Sequence, residues 1–139
     1  MKAQKLSYTG LNVLGLGFSG YAAYEAFSLS ALHLGGTPTC PVLFGIPACI
    51  IVLVCYILLT VAWGMALIGR KNKQAMIIFV SGFTPAFLLA LIGSSGEVFG
   101  FASCPHTETG FPKCFISFGL LIGLALAWGL SMTLKIRAQ

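Results

Sequence analysis

Charged residues are scarce in this sequence. Lys, Arg, Asp and Glu together make up 8% of the 139 residues and hydrophobic residues make up 58%, whereas a typical soluble domain is roughly 25% charged. A chain of this length forms one small domain, and a small soluble domain leaves about a third of its unfolded surface exposed to water after folding. The composition therefore excludes an ordinary soluble protein and predicts a single membrane domain over residues 1–139.

Motifs of several common enzyme classes are also missing. The sequence contains no phosphate-binding loop, no hydrolase-triad pattern and no haem-attachment motif. None of its five cysteines is spaced as Cys-x-x-Cys, so neither a zinc site nor thioredoxin-type chemistry is specifically indicated.

The few basic residues have an informative distribution. Seven of the eight flank apolar runs and form three clusters: Lys2 and Lys5; Arg70, Lys71 and Lys73; Lys135 and Arg137. Basic residues in short loops stay in the cytoplasm, so the N-terminus, the middle loop and the C-terminus are expected there. A nucleic-acid partner is not expected, because its binding site would need a continuous basic surface.

Four apolar stretches are each long enough to cross a bilayer, for which about 20 residues are needed. They cover approximately residues 6–34, 47–69, 75–99 and 114–134. Four crossings that start inside also end inside, in agreement with the basic clusters. The sequence thus predicts an all-α, polytopic membrane protein with four transmembrane helices.

An internal repeat divides these helices into two hairpins. The segments Cys40–Cys49 and Cys104–Cys114 both read Cys-Pro, three or four residues, Gly, apolar, Pro, any residue, Cys. Four positions recur 65 residues later: Gly45, Pro47, Cys49 and Trp63 correspond to Gly110, Pro112, Cys114 and Trp128. The prediction is two tandem helical hairpins, residues 1 to about 70 and 71–139, related as parallel repeats about an axis normal to the membrane.

Four cysteines lie in the two loops on the side away from the basic clusters. That side is oxidising in bacteria and in the secretory pathway, so disulfides persist there. Three pairings are possible, and the repeat favours Cys40–Cys49 and Cys104–Cys114, because each hairpin then closes its own loop. The fifth cysteine, Cys55, falls within the second span and is expected to be a buried thiol.

These cysteine pairs have three possible roles. They are structural staples, or they form a redox site in which a thiolate attacks a disulfide, or they hold a soft metal ion together with His33 or His106. Glu25 and Glu97 lie near the outer ends of the first and third spans, where ionisable groups are functional candidates. His106 and Lys113 are the residues expected to tune a neighbouring thiolate.

Two further features concern packing. Small residues recur at every fourth position of the last helix, as Gly119, Gly123, Ala127 and Ser131, and allow close approach of a second helix. That helix belongs either to the same bundle or to another copy of the chain. Trp63 and Trp128 are expected to be anchors at the inner membrane interface.

The segment Cys-Pro-Val-Leu-Phe-Gly-Ile-Pro at residues 40–47, followed by an apolar helix containing Tyr56, resembles the vitamin K epoxide reductase family. Pro112-Lys113-Cys114-Phe115 is similar to the Cys-x-x-Cys helix entry of that family, with Phe111 in the place of the first cysteine. The resemblance implies a four-helix core that reduces or oxidises a quinone while exchanging disulfides with a thioredoxin-like partner. Cys40 and Cys49 would then be the shuttle pair, and Cys114 would face the quinone.

The functional prediction is an integral membrane thiol–disulfide or quinone-linked redox protein, with Cys40, Cys49, Cys104 and Cys114 as its site residues and quinone as the implied cofactor. One alternative is a non-enzymatic small membrane subunit of a larger complex, with loops stapled by structural disulfides. A further alternative is a soft-metal ion carrier. The expected partners are the lipid bilayer and either other membrane subunits or a second copy bound through Gly119, Gly123 and Ala127.

Overall fold

A computed structural model describes residues 2–69 and 72–138 of the chain. Four α-helices account for most of them: α1 (Lys2–Leu34), α2 (Ala48–Ile68), α3 (Asn72–Phe99) and α4 (Lys113–Ala138). Two short antiparallel strands, β1 (Val42–Leu43) and β2 (Ile46–Pro47), form a hairpin in the loop between α1 and α2. The prediction of an all-helical fold is confirmed. The basic residues Arg70 and Lys71 lie outside the described residues.

The helices form an antiparallel bundle in which sequence neighbours are also spatial neighbours. Helix α2 packs between α1 and α3, and α4 closes the ring by packing against α3 and α1. At one end of the bundle, the Tyr8 hydroxyl donates to the Ala66 carbonyl across α1 and α2. At the other end, Lys113 of α4 contacts Glu25 of α1. One end therefore carries the chain termini, and the other carries both cysteine loops.

Three of the helices have the length and hydropathy of membrane spans, namely Ala48–Ile68, Lys73–Phe99 and Lys113–Arg137. These bounds agree with three of the four predicted spans, and the chain is therefore a membrane protein. Helix α3 continues through Pro85 without interruption. Helix α1 is 33 residues long but less apolar, so its crossing of the bilayer stays a prediction.

The lower hydropathy of α1 has a structural reason. Its buried face consists of small and polar residues at helical spacing, including Asn12, Gly15, Ser19 and Ser30. The two serine hydroxyls are satisfied within the helix: the Ser19 hydroxyl donates to the Gly15 carbonyl at 2.7 Å, and Ser30 bonds Ala26 in the same way. The Asn12 amide nitrogen also donates within the helix, whereas its Oδ1 is buried without a hydrogen-bond partner among the described residues. Small side chains allow α1 to approach α2 closely, as in other helix pairs within membranes.

Aromatic rings fill the centre of the bundle. Trp63 is 0% exposed and Trp128 is 7% exposed, and Phe79 stacks on Trp128 at a centroid distance of 4.3 Å. Phe83 and Phe87 continue the stack along α3. The prediction that the two tryptophans anchor the membrane interface is wrong, because both rings are buried against other helices and are not exposed at the surface of the bundle.

The small-residue row on α4 divides between the inside and the outside of the bundle. Ser131 is buried and its hydroxyl donates to the Trp128 carbonyl. Gly119 and Gly123 are exposed, and a Cβ built on either meets no atom of the described chain within 4 Å. These two glycines therefore do not serve packing within the bundle, and their predicted role in self-association stays a prediction.

Candidate functional site

The two cysteine loops share a backbone design. In the first loop, the N–H of Ala48, just before Cys49, donates to the carbonyl of Pro41, just after Cys40, at 2.9 Å. In the second, the N–H of Lys113 donates to the carbonyl of Pro105 at 2.8 Å. These bonds close each loop where its second cysteine enters a helix.

The loop geometry brings the sulfurs of each predicted pair together. Cys40 is bonded to Cys49, and Cys104 is bonded to Cys114; in both disulfides the Cα atoms are 6.0 Å apart. The predicted pairing is confirmed. Cys55 is buried on α2 and forms no disulfide, as predicted.

A cavity of about 610 Å³ opens between the helices beneath these loops. All four helices and both loops contribute to its walls, which are predominantly apolar. Cys49, Cys104 and Cys114 all line it, so both disulfides border the same space. Such a volume lies within the usual range of small-molecule sites, roughly 300–1,000 Å³.

Gly93 of α3 lies directly behind the Cys104–Cys114 disulfide. A Cβ at this position would lie 2.9 Å from the sulfur of Cys114 and 3.3 Å from that of Cys104. Glycine therefore lets the α3 backbone pass against the two sulfurs, so that the disulfide is held between α3 and the cavity.

The first disulfide has a more peripheral position. Whereas Cys49 borders the main cavity, Cys40 lines a second one of about 370 Å³ together with Pro38 and residues 101–103 of the other loop. The residues that flank Cys40 thus lie opposite the segment that leads into Cys104. The two disulfides occupy adjoining cavities at one end of the bundle.

Two hydroxyl groups from different helices meet in the cavity wall. Tyr56 of α2 and Ser117 of α4 share a hydrogen bond of 2.6 Å, and both residues line the cavity. Ser117 is one helical turn from Cys114. A ligand in this cavity would therefore have hydroxyl groups and the Cys104–Cys114 disulfide along the same wall.

An ion pair borders the same cavity. The Lys113 ammonium donates to the Glu25 carboxylate at 3.4 Å, and the Tyr21 hydroxyl donates to the other oxygen of Glu25 at 3.3 Å. Both charged side chains are partly exposed, so the pair contributes little to stability. It lies where α1 and α4 meet, next to Cys114 in the sequence.

Glu97 connects α3 to the second loop. One of its carboxylate oxygens accepts a hydrogen bond of 3.0 Å from the Cys104 backbone N–H. The other is 3.1 Å from Nε2 of His106, and since a carboxylate only accepts, that nitrogen donates. The carboxylate thereby holds the loop on both sides of Pro105.

Comparison with protein-family models, curated proteins and solved structures finds no match for this chain.

No cluster of three or more His, Cys, Asp or Glu side chains able to hold a metal ion occurs in residues 2–69 and 72–138. The four loop cysteines are bonded to each other as disulfides, and a disulfide sulfur is not the thiolate that binds a metal. The geometry does not supply the ligand set on which the soft-metal alternative depends.

Several site residues were not found from the sequence. Gly93 and Ser117 carry no motif, and their importance depends on which helix lies opposite. The Glu25–Lys113 pair could have been predicted from the sequence, because Lys113 is the one Lys or Arg residue between Lys73 and Lys135. An isolated cation among apolar helices indicates a nearby carboxylate, and few carboxylates exist in this chain.

Proposed function

We propose that this protein is an integral membrane redox protein in which the Cys104–Cys114 pair exchanges electrons with a quinone bound in the 610 Å³ cavity. The observation that carries the proposal is that this disulfide and a pair of hydroxyl groups line the same apolar cavity. Quinones are lipophilic rings with carbonyl oxygens, and they reach such a cavity from the bilayer.

The residues around the cavity fit this substrate class. Apolar side chains accept the ring. Whichever of the Tyr56 and Ser117 hydroxyls accepts in their shared bond can donate its own hydrogen to a carbonyl oxygen. In the oxidising direction, the two thiols of Cys104 and Cys114 form a disulfide and release two electrons and two protons. The quinone takes up both electrons and both protons and leaves as the hydroquinone. In the reducing direction, the same transfer runs backwards.

The Cys40–Cys49 pair is proposed as the relay to a protein partner, as the resemblance to vitamin K epoxide reductases implies. A thiolate of one pair attacks the disulfide of the other and releases one of its cysteines, which leaves a mixed disulfide. The second thiolate of the attacking pair then closes its own disulfide and releases the remaining cysteine of the other pair as a thiolate. Adjoining cavities around the two pairs support this exchange. Since Phe111 replaces the first cysteine of the family's motif, Cys104 takes its place as the partner of Cys114.

We propose that α1 also crosses the membrane, which makes four crossings with both termini in the cytoplasm. Helix α1 contacts its neighbours near both ends, through Tyr8 at one and Glu25 at the other, as a spanning helix would. Lys2 and Lys5 then lie on the same side as Lys135 and Arg137. The disulfide loops face the periplasm or the extracellular space, where disulfides persist.

We also propose that the two hairpins arose by duplication. The matching loop hydrogen bonds, Ala48 to Pro41 and Lys113 to Pro105, support this origin. Burial recurs at the 65-residue spacing along α2 and α4 as well. The pairs buried at both positions are Tyr56 and Leu121, Leu59 and Leu124, Trp63 and Trp128, and Ala66 and Ser131.

A second candidate function is favoured by one observation. Cys40, Cys49 and Cys104 are all buried, and a buried disulfide is poorly accessible to an external thiol. In this alternative, both disulfides are permanent staples, and the chain is a non-enzymatic subunit of a larger membrane complex. Permanent and exchanging disulfides respond differently to a redox buffer, so one experiment separates the two functions.

The purified protein is reduced in lipid nanodiscs, freed of reductant under argon and mixed with a short-chain benzoquinone whose ring is fully substituted, so that thiols cannot add to it. We expect the Cys104–Cys114 disulfide to re-form with one hydroquinone produced for each disulfide. Hydroquinone is measured by its absorbance, and each cysteine by thiol labelling and mass spectrometry. Cys104→Ser and Cys114→Ser should abolish this reaction, whereas Cys55→Ser should not alter it.

The structural alternative predicts a different outcome. Both disulfides of the folded protein would resist a glutathione buffer, the quinone would not be reduced, and stoichiometric partner proteins would copurify from mild detergent. That combination would rule out the redox proposal.

A further inference from the structure

The hairpin closed by Cys40 and Cys49 has an unusual turn. Strands β1 and β2 pair in the register Val42 with Pro47 and Leu43 with Ile46. The two turn residues, Phe44 and Gly45, both have positive φ, at 51° and 81°. Two-residue hairpin turns with positive φ at both positions favour Asn-Gly, Asp-Gly or Gly-Gly. Phenylalanine rarely adopts this conformation.

The Phe44 ring gains no packing within the chain in return. Its side chain is 102% exposed, and the neighbouring Val42 and Ile46 are also exposed. A large apolar ring at a conformationally costly position, without internal contacts, indicates an external surface that the ring contacts.

The chemistry of that surface follows from the absence of charge. No Asp, Glu, Lys or Arg occurs from Leu34 to Gly69, so the hairpin offers no charged group for an ion pair with a protein partner. Aromatic and aliphatic side chains without charges are suited to the boundary between lipid headgroups and acyl chains.

The length of α2 places the hairpin at that boundary. Helix α2 has 21 residues, which at about 1.5 Å each span roughly 31 Å. The hydrocarbon core of a bilayer is about 30 Å thick, so α2 uses its whole length to cross it. The hairpin ends at Pro47, where α2 begins, and therefore lies at headgroup level.

We propose that the disulfide-closed hairpin is an interfacial lipid anchor, in which Phe44, flanked by Val42 and Ile46, inserts into the membrane surface beside α2. This anchor fixes the depth of Cys40 and Cys49 at the membrane boundary. The inference depends on α2 as a membrane span and is independent of the redox proposal.

Phe44→Trp, reconstituted as the full chain in phosphatidylcholine vesicles, tests the anchor by fluorescence. Trp63 and Trp128 are buried, and their signal is subtracted with the unsubstituted protein. We expect blue-shifted emission at position 44, strong quenching by lipids brominated near the top of the acyl chain, and shielding from aqueous iodide. The matched control is Thr109→Trp in the exposed turn of the other loop, which should give red-shifted emission quenched several-fold more by iodide.

Intact Cys40–Cys49, measured by thiol labelling, shows that the hairpin of the variant is folded. Ile46→Trp repeats the test at a position outside the turn if that disulfide is lost. Emission at both hairpin positions that is quenched by iodide as strongly as in Thr109→Trp, and not by brominated lipid, would overturn the proposal. Shielding that arises only after a second protein is added would also overturn it, in favour of a protein partner.

Discussion

Trp63 of α2 and Trp128 of α4 meet edge to face at the centre of the bundle, with ring centroids 4.9 Å apart. Phe79 of α3 stacks on Trp128, and Gly15 of α1 lies against the six-membered ring of Trp63. This aromatic cluster thus connects all four helices. Edge-to-face and offset aromatic pairs each contribute about 0.5–1.5 kcal/mol beyond the area that they bury.

The first prediction concerns the contact between Gly15 and Trp63. A Cβ added at Gly15 would lie 2.6 Å from Cζ2 of Trp63, and the indole cannot move away because Phe79 and Trp128 enclose it. Gly15→Ala should therefore lower the free energy of unfolding by about 1–3 kcal/mol, the usual cost of overpacking. Unfolding in mixed micelles with increasing sodium dodecyl sulfate measures the change.

Gly17→Ala is the matched control, because a Cβ there meets no described atom within 4 Å. It should be neutral or stabilising by about 0.5–1 kcal/mol, since alanine favours the helix more than glycine does. Equal losses of stability in both variants would contradict the close contact between α1 and Trp63.

These tryptophans also show what the sequence could not predict. Helix positions and disulfide pairing followed from local signals: apolar length, basic flanks and the repeated Cys-Pro spacing. Which face of each helix packs inside the bundle could not be predicted in this way, because in a membrane both the lipid-facing and the core-facing residues are apolar. Trp63 is compatible with either environment from its sequence context, and only the position of α1 and α4 assigns it to the core.

The candidate site was predictable to a similar extent. The four cysteines and their pairing came from the sequence, whereas Ser117 and Gly93 required knowledge of the helices opposite them. A serine near the start of an apolar helix has no distinct pattern. Its relation to Tyr56 depends on the diagonal approach of α2 and α4, which no local property encodes.

The second prediction concerns the bond between Tyr56 and Ser117, which is 2.6 Å long. Tyr56→Phe and Ser117→Ala should each lower stability by about 1–3 kcal/mol, because each leaves the other hydroxyl without its partner in the cavity wall. The loss of stability in the double variant should be smaller than the sum of the losses in the two single variants. Thermal unfolding of the unsubstituted protein, the two single variants and the double variant gives this double-mutant cycle.

The same variants report on quinone binding. If the hydroxyls orient a carbonyl oxygen, Tyr56→Phe should raise the KM for the benzoquinone. Thr60→Val is the control, since Thr60 bonds only the carbonyl of Tyr56 on its own helix. An unchanged KM in Tyr56→Phe, with the expected loss of stability, would mean that this hydrogen bond is structural only.

The third prediction concerns the exposed glycines of α4. Gly119 and Gly123 do not contact the rest of the described chain, and if they form a seam between two copies, a large side chain there would separate the helices. Gly123→Leu should weaken self-association by roughly tenfold, equivalent to about 1.4 kcal/mol. Energy transfer between donor-labelled and acceptor-labelled chains in vesicles measures the association.

Gly129→Leu is the matched control. Gly129 is equally exposed and open, but it lies on another face of α4 than Gly119 and Gly123, because successive helical residues are about 100° apart. A loss of energy transfer confined to Gly123→Leu supports the seam. Unchanged transfer in both variants means that these glycines do not mediate self-association.

The fourth prediction concerns Gly93, where the α3 backbone lies against the second disulfide. The methyl group of Gly93→Ala would approach the Cys114 sulfur to 2.9 Å, so the sulfurs would have to move away from α3 toward the cavity. The substitution should therefore disfavour the bonded geometry and make Cys104–Cys114 easier to reduce. Titration of the folded protein with glutathione, with each cysteine quantified by mass spectrometry, measures this shift.

The first disulfide serves as the internal control for this variant, because the three atoms nearest to a Cβ at Gly93 all belong to Cys104 and Cys114. Reduction of Cys40–Cys49 should be unchanged in Gly93→Ala, and Gly119→Ala should leave both pairs unchanged. If both disulfides shift together, the methyl group acts through the stability of the whole bundle and not through contact with the sulfurs. A shift confined to Cys104–Cys114 would mean that the glycine on α3 influences the redox equilibrium of the pair at the cavity, because its lack of a side chain leaves space for the two sulfur atoms.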